Sequence, residues 1–324
     1  MTRYFVTGGA GFIGSHLVER LVADGHDVTV FDDFSTGKYE NIAHLEGSKL
    51  AVVEGDVRNA KAVTKAMKRA HYVLHQAARP SVARSVADPL PTNAVNVDGT
   101  LNVLEAARTH KRTVRRVVFA SSSSVYGDTP TLPKVETMAT QPMSPYAVSK
   151  LAAESYCRAY FLSYGLETVA LRYFNVFGPR QDPESAYAAV IPLFVKALLG
   201  RGKPVIFGDG KQTRDFTHVD NVVEANLAAC TAQKAPGNVF NVACGSRVTI
   251  GGLAHMIGEI LGVDREPRLK AARPGDVRHS LADVARAEEF LAYRVRVNLR
   301  EGLARTVEWY RAQRGDGGGA DEEE

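Results

Sequence analysis

The stretch RYFVTGGAGFIGSHL turns a strand straight into a helix through Gly8, Gly11 and Gly14, and few folds accommodate that. Without Cβ atoms at these positions the chain can make the tight turn, and a pyrophosphate can approach the backbone closely. The helix starting near Phe12 then points unpaired amides and its positive dipole end at that anion. Glycine turns also serve only to pack a helix on a strand, so the context decides. The next strand, DVTVF, ends at Asp32, whose carboxylate can accept hydrogen bonds from both hydroxyls of an adenosine ribose and repels a 2′-phosphate. Strand, glycine loop, helix, strand and acid in that order predict a dinucleotide site, and NAD rather than NADP as its cofactor, although Lys38 lies nearby. Asp56, ending the third strand in EGDV, suits a contact to the adenine amino group and a plain turn equally well.

The rest of the chain continues that rhythm. Apolar, β-branched runs (LAVVEGD, YVLHQAA, RRVVFASSS, LETVALRYF) alternate with helical stretches, which predicts an α/β fold with a doubly wound Rossmann parallel sheet over residues 1–174. From residue 175 to 313 the pattern changes, with helices at AAVIPLFVKALLGRG and TIGGLAHMIGEILG around the strand PVIFGDG. This predicts a smaller C-terminal α/β domain for substrate, with some segments returning to the sheet. Residues 314–324, glycine and acid with nothing to bury, read as a disordered tail. With 45% hydrophobic residues among 324, the material for a large core is ample. No apolar run could span a bilayer and no leader pattern opens the chain, so a cytoplasmic protein without a membrane partner is expected. A formal charge of +4 is too small and dispersed for nucleic acid. Cys157, Cys230 and Cys244 stand too far apart for a local metal pair, and no metal is expected.

In SPYAVSK, Tyr146 and Lys150 share one face of a helix that begins after Pro145. A phenol is a poor base at neutral pH. A neighbouring ammonium and a positive nicotinamide ring are expected to lower its pKa toward the working range. The preceding strand, VVFASSSS, ends at the carboxyl edge of the sheet and offers hydroxyls where a substrate oxygen would sit, so Ser, Tyr and Lys form a proton relay. His75 reads as a packed strand histidine, because Tyr146 already fills the place of base.

TGGAGFIGSHL, SSSSVYG and Tyr-x-x-x-Lys together resemble the extended short-chain dehydrogenases, specifically the nucleotide-sugar epimerase and dehydratase family, over nearly the whole chain apart from its acidic tail. The resemblance implies Ser122 as the catalytic hydroxyl, Tyr146 as the base and Lys150 as its partner. It implies NAD contacts from Gly8, Gly11, Phe12, Ile13 and Gly14 in the glycine loop, and from Asp32, Asp33, Ser35, Gly37 and Lys38 after the second strand. Further contacts are implied from Asp56, Val57, Gln76, Ala77, Ala78, Asn96 and Tyr173. Members often form homodimers through the helix carrying Tyr146 and the one after Asn96.

Within such a family the residues after Ser122 separate the reactions. The 4,6-dehydratases carry an Asp and a Glu there, and the decarboxylases a Glu in the second position. Here they are Ser123 and Ser124, so elimination lacks its acid/base pair and hydride removal and return at a sugar C4 is favoured. The resemblance implies a UDP-sugar as the substrate. Arg214 in KQTRDF and Arg273 in RPGD stand in turn contexts suited to clamping a diphosphate. By resemblance Asn175 joins them, Asp276 takes the ribose, and Ala189, Val190 and the strand from Val205 to Phe207 flank the base. Ser280 falls where the family places the residue that lines the pocket around the sugar's C2 substituent. A serine there leaves room for an N-acetyl group, or is a plain turn residue.

Overall fold

A computed structural model describes residues 1–45, 47, 49–183, 189–272 and 277–315. Six strands follow one another in the order expected: β1 (Arg3–Thr7), β2 (Asp27–Asp32), β3 (Leu50–Glu54), β4 (Tyr72–His75), β5 (Arg116–Ser122) and β6 (Glu167–Tyr173). A later strand, Val239–Val242, adds beside β6. The seven strands form one parallel sheet in which the first six lie in the order 3-2-1-4-5-6. The chain winds outward one way from β1 and then the other way from β4, so the switch point falls between those two strands. Ligand crevices of doubly wound sheets open there, at the carboxyl ends of the strands.

Side chains alternate across the sheet with period two, and both faces are dry. Tyr4, Val6, Val118, Leu171 and Phe240 pack on one face with Leu17 and Leu21 of helix α1 (Phe12–Ala23) and Val222 of the Val219–Thr231 helix. Phe5, Phe31, Val73, Phe119 and Ala170 pack on the other with Val103, Leu104 and Cys157. Each wholly buried Leu or Phe of this kind contributes about 1.5–3 kcal/mol relative to exposure. Thus the 219–242 segment, though late in the chain, completes the covering of the first sheet. A separate core gathers Phe177, Phe194, Ile206, Phe216, Leu253 and Leu303. It joins the helices Val190–Leu199, Ile250–Leu261 and Leu299–Gly315 to the short parallel pair Val205–Phe207 and Arg268–Lys270. The helix runs through Gly315, and the tail beyond it lies outside the described residues.

No helix among the described residues is long and apolar enough to cross a membrane, and no group of three His, Cys, Asp or Glu there could hold a metal ion.

Candidate active site

The glycine loop crosses the switch point at close range. Gly8 adopts φ +68°, and a Cβ on it would meet the amide nitrogen of Ala77, just after β4, at 2.7 Å. A Cβ on Gly14 would lie 2.0 Å from the carbonyl oxygen of Gly8, so α1 can begin against the turn only with glycine there. Gly11 caps α1 without any side-chain hydrogen bond, which leaves the amides of its first turn to a ligand.

From this turn a cleft of about 320 Å³ runs along the carboxyl edge of the sheet. Its floor is Gly8, Gly11, Phe12, Ile13 and Gly14, and its wall beside β2 is Asp32, Asp33, Ser35, Gly37 and Val57. Gln76, Ala77 and Ala78 form the middle, and Tyr146, Lys150 and Tyr173 the far end. The Asp32 carboxylate is buried, accepting the amide N–H of Ala10 and of Phe34 at 2.9 Å each; desolvation raises its pKa against those two bonds. Gly37 passes so near that a Cβ would meet the Asp32 Oδ1 at 2.9 Å. Each carboxylate oxygen therefore keeps acceptor capacity for a hydroxyl while the space beside it suits no second anion. A cradle that admits no Cβ, an uncapped helix start and a buried carboxylate acceptor are the donor and acceptor set that a dinucleotide with a free 2′-hydroxyl requires.

Three sequence-predicted contacts stand apart from this cleft's lining. Lys38 is exposed, with Nζ 3.6 Å from Asp182. Asp56 is paired with the Arg58 guanidinium, and Arg58 also lines the cleft. Asn96 is buried, accepts the Arg79 amide at 2.8 Å and donates to the Ser149 hydroxyl at 2.9 Å, so it fastens the loop after β4 to the helix carrying Tyr146.

That helix, Pro145–Tyr164, is set by local sequence. Ser144 caps it by accepting the Ala147 amide, Pro145 occupies its first turn, and Gly165 ends it in the left-handed region. Lys150 is buried and donates to the carbonyl of Ala120 in β5 at 2.8 Å. Burial lowers its pKa to about 8. Desolvation raises the Tyr146 pKa above its ordinary value, and the Ser122 hydroxyl opposes it by favouring the phenolate. The lowering expected from Lys150 is thus not present in the protein alone, because the ammonium is directed at a backbone carbonyl. Ser122 Oγ accepts both the amide (3.2 Å) and the hydroxyl (2.9 Å) of Ser124, leaving its own proton for the phenol or a substrate oxygen. Ser123 and Ser124 form, with Val125 and Tyr126, a short 3-10 turn after β5. His75 is sealed between Thr7 (2.7 Å) and Thr100 (2.9 Å), with its pKa lowered to about 3 by burial and then by Lys150: a neutral packing histidine, as read from the sequence.

A second cavity, about 440 Å³, lies in the later half of the chain. It gathers Asn175, Ala189, Val190, Val205, Phe207 and Arg214, six of the residues predicted for substrate, with Phe177, Phe216 and Ile250. Ser280 lies alongside, its amide bonded to the Thr213 carbonyl at 3.1 Å. Arg273 and Asp276 lie outside the described residues.

Sequence reasoning missed two supports. Asp215, fully buried, accepts amides from Cys244 (3.0 Å), Gly245 (3.1 Å) and Ala282 (3.2 Å), while its own carbonyl receives Asn175 Nδ2 at 2.9 Å. Desolvation outweighs these bonds and raises its pKa to about 6. Its neighbour Arg214 was the only signal. Beside β5, Glu154 receives Ser121 Oγ at 2.8 Å and pairs with Arg172 at 2.5 Å, and Arg172 sits over the Tyr126 ring. Glu154 is four residues past Lys150, a helical spacing visible in the sequence.

Comparison with known proteins agrees with this geometry. Residues 4–243 match the NAD dependent epimerase/dehydratase family. The chain is 43% identical over 312 residues to a UDP-glucose 4-epimerase of Mycolicibacterium smegmatis, covering 95% of this chain and 98% of that one. The structure of a UDP-N-acetylglucosamine 4-epimerase from Methanobrevibacter ruminantium, in complex with UDP-N-acetylmuramic acid, superposes with a TM-score of 0.92 at 41% identity, covering 96% and 99% of the two chains. A UDP-N-acetyl-alpha-D-glucosaminuronate decarboxylase of Bacillus cytotoxicus is 33% identical, over 95% and 98% of the chains. With its cofactor NAD, this chain belongs to the extended short-chain dehydrogenases of the NAD-dependent epimerase/dehydratase family.

Proposed function

We propose that the protein is a 4-epimerase of UDP-sugars. The observation that carries the reading is the end of β5: the Ser122 hydroxyl acts on the Tyr146 phenol in favour of the phenolate, and the two following positions are Ser123 and Ser124 rather than carboxylic acids. Hydroxyls at these positions can hold a substrate but cannot supply the acid and base of an elimination. NAD, when bound, supplies the hydride acceptor and donor for the sugar's C4.

The residues do the rest. Tyr146 takes the C4 hydroxyl proton, directly or across Ser122, and gives it back after the 4-keto sugar has turned over. Lys150, buried at the far end of the cleft, would hold the nicotinamide ribose, and its positive charge would favour the phenolate. Arg214 and Asn175 hold the diphosphate at one end of the second cavity; Arg273 and Asp276, outside the described residues, are assigned to diphosphate and ribose by the family resemblance alone. Val190, Val205 and Phe207 flank the uracil. Ser280 leaves the C2 pocket wide enough for N-acetylated sugars. Val148, Tyr156 and Leu162, exposed on the Pro145–Tyr164 helix, form the face of a homodimer; Leu162→Arg is expected to give a monomer in sedimentation.

Incubation with UDP-glucose, UDP-GlcNAc and UDP-glucuronic acid, followed by separation of 4-epimers, tests the reading. Conversion without added NADH is expected. Stoichiometric absorbance change at 340 nm would indicate a net oxidoreductase, loss of CO₂ a decarboxylase, and no product at all a noncatalytic dinucleotide sensor.

A further inference from the structure

The segment just after Phe177 touches both walls of the dinucleotide cleft without lining it. Arg180, with a side chain 12% exposed, sends its guanidinium in three directions. Nη1 donates to the Asn41 carbonyl at 3.1 Å, and Nη2 pairs with the Glu19 carboxylate and approaches His16 Nδ1 at 3.3 Å. His16 Nε2 lies 3.0 Å from the Pro179 carbonyl. Since a carbonyl only accepts, the ring proton is on Nε2 and Nδ1 is the acceptor for Arg180, so one neutral tautomer satisfies both bonds. Burial and the Arg180 charge hold the His16 pKa down at about 4, in keeping with that state.

Glu19 and His16 belong to α1, whose first turn floors the cleft. Asn41 belongs to the loop that carries Ser35 and Gly37 over Asp32, and that loop is itself tied to the glycine turn: Ala10 O accepts the Lys38 amide at 3.0 Å and Asn41 Nδ2 at 2.8 Å. Asp182 adds an exposed pair to Lys38. At its other side the segment is anchored by the Tyr310 hydroxyl, which donates to the Gln181 carbonyl, and by Gln181 Nε2, which donates to Val176 O at 3.1 Å. Arg180 makes these contacts from φ +65°, a left-handed conformation that a non-glycine residue holds only where its surroundings require it.

We propose that Pro179–Asp182 is a strap, clasped by Arg180, that retains NAD by pinning the Ser35–Asn41 cover against helix α1. Leaving the cleft requires the cover to lift from the glycine turn, and because Arg180 holds Asn41 of the cover and Glu19 of α1 at once, lifting it breaks one of those bonds or the other. Arg180 touches neither sugar nor cofactor: it is a positioning residue, and it acts on the release of NAD rather than on bond making. The strap follows directly on Asn175–Phe177 in the second cavity, so it joins occupancy of one site to retention at the other. A cofactor restored within each cycle gains from such a device, and one exchanged at every turnover is slowed by it; in this respect the inference rests on the epimerase reading.

The test measures NAD leaving the holoenzyme, by chase with excess labelled NAD, together with the fraction of protein purified with NAD bound. Arg180→Ala is expected to release NAD roughly 10-fold faster or more, the loss of charge-assisted bonds. Arg180→Lys, which cannot reach Asn41 and Glu19 together, and Glu19→Gln should fall between it and the native protein, and Arg300→Ala, remote on the Leu299–Gly315 helix, should match the native rate. An Arg180→Ala release rate within twofold of native overturns the strap. If that variant does not fold, unchanged release from both Arg180→Lys and Glu19→Gln overturns it equally. Slow, Arg180-dependent release without any epimer would uphold the strap and remove the epimerase reading, whereas epimer formation with Arg180-independent release would do the reverse.

Discussion

The two cavities are built differently. The dinucleotide cleft is lined mainly by the carboxyl ends of the strands of one sheet and the loops that follow them, and the Asp32 carboxylate is held by its own backbone neighbourhood, Ala10 and Phe34. The second cavity is assembled from residues 82, 175–177, 189–191, 205–216 and 250, with no single sheet behind them. Behind them stands Asp215, whose carbonyl receives Asn175 and whose buried carboxylate receives amides from Cys244, Gly245 and Ala282. A repeating fold can carry the first kind of site into many proteins with little change. The second kind depends on particular long-range bonds, and there substrate choice can change without disturbing the cofactor.

This contrast can be broken by substitution. Tyr146→Phe removes the proton carrier and should lower kcat by roughly 10²–10⁴-fold while leaving NAD affinity intact, measured by steady-state epimerisation and by titration of NAD. Arg214→Ala should raise the KM for UDP-glucose by about 10–100-fold with NAD affinity unchanged, since a charge-assisted bond is worth roughly 1.5–3 kcal/mol; an equal loss of NAD affinity would mean that the two cavities do not act separately. Asp32→Asn should weaken NAD by about tenfold and narrow its margin over NADP without altering the KM for sugar, measured by equilibrium binding of both dinucleotides. The smallest effect concerns pH. Asp215 has its folded pKa raised from 3.8 to about 6, so between those values the folded protein keeps a proton the unfolded chain has lost. Stability from this group is therefore complete below about pH 4 and declines as pH rises through 6. Denaturant titrations at pH 4.5 and 7 should reveal this as a difference between native protein and Asp215→Asn, the variant losing that part of the pH dependence.

Local pattern made the first cavity legible. Gly8, Gly11, Gly14 and Asp32 follow from the geometry of one strand–helix–strand unit, and the sheet order follows once each connection is right-handed. Tyr146 and Lys150 are legible as a pair because helical spacing sets them on one face. The direction of the Tyr146 shift was not, because it depends on how much solvent the fold removes and on Lys150 turning to the Ala120 carbonyl, neither of which spacing encodes. Lys38 and Asn96 mark the same boundary. Each stands at the right distance along the chain, but one is drawn outward to Asp182 and the other is consumed in joining Arg79 to Ser149. Asp215 escaped because its partners are remote in sequence and burial sets its pKa, and the Glu154–Arg172 pair because it forms between a helix and the strand 18 residues on, which spacing within either element does not encode.

The strand Val239–Val242 has a bearing on how the protein is made. Its Phe240 lies opposite Leu171 of β6, wholly buried, and its neighbours come from the helix before it. A nascent chain that has emerged only as far as residue 174 would carry all six earlier strands and yet leave β6 as a bare, apolar rim open to pairing with another chain. Some seventy further residues must clear the ribosome before that rim is closed. The NAD-binding half is therefore not a module that can be excised at its apparent end, and ribosome-bound fragments ending between residues 174 and 242 are the stage at which a chaperone has most to protect.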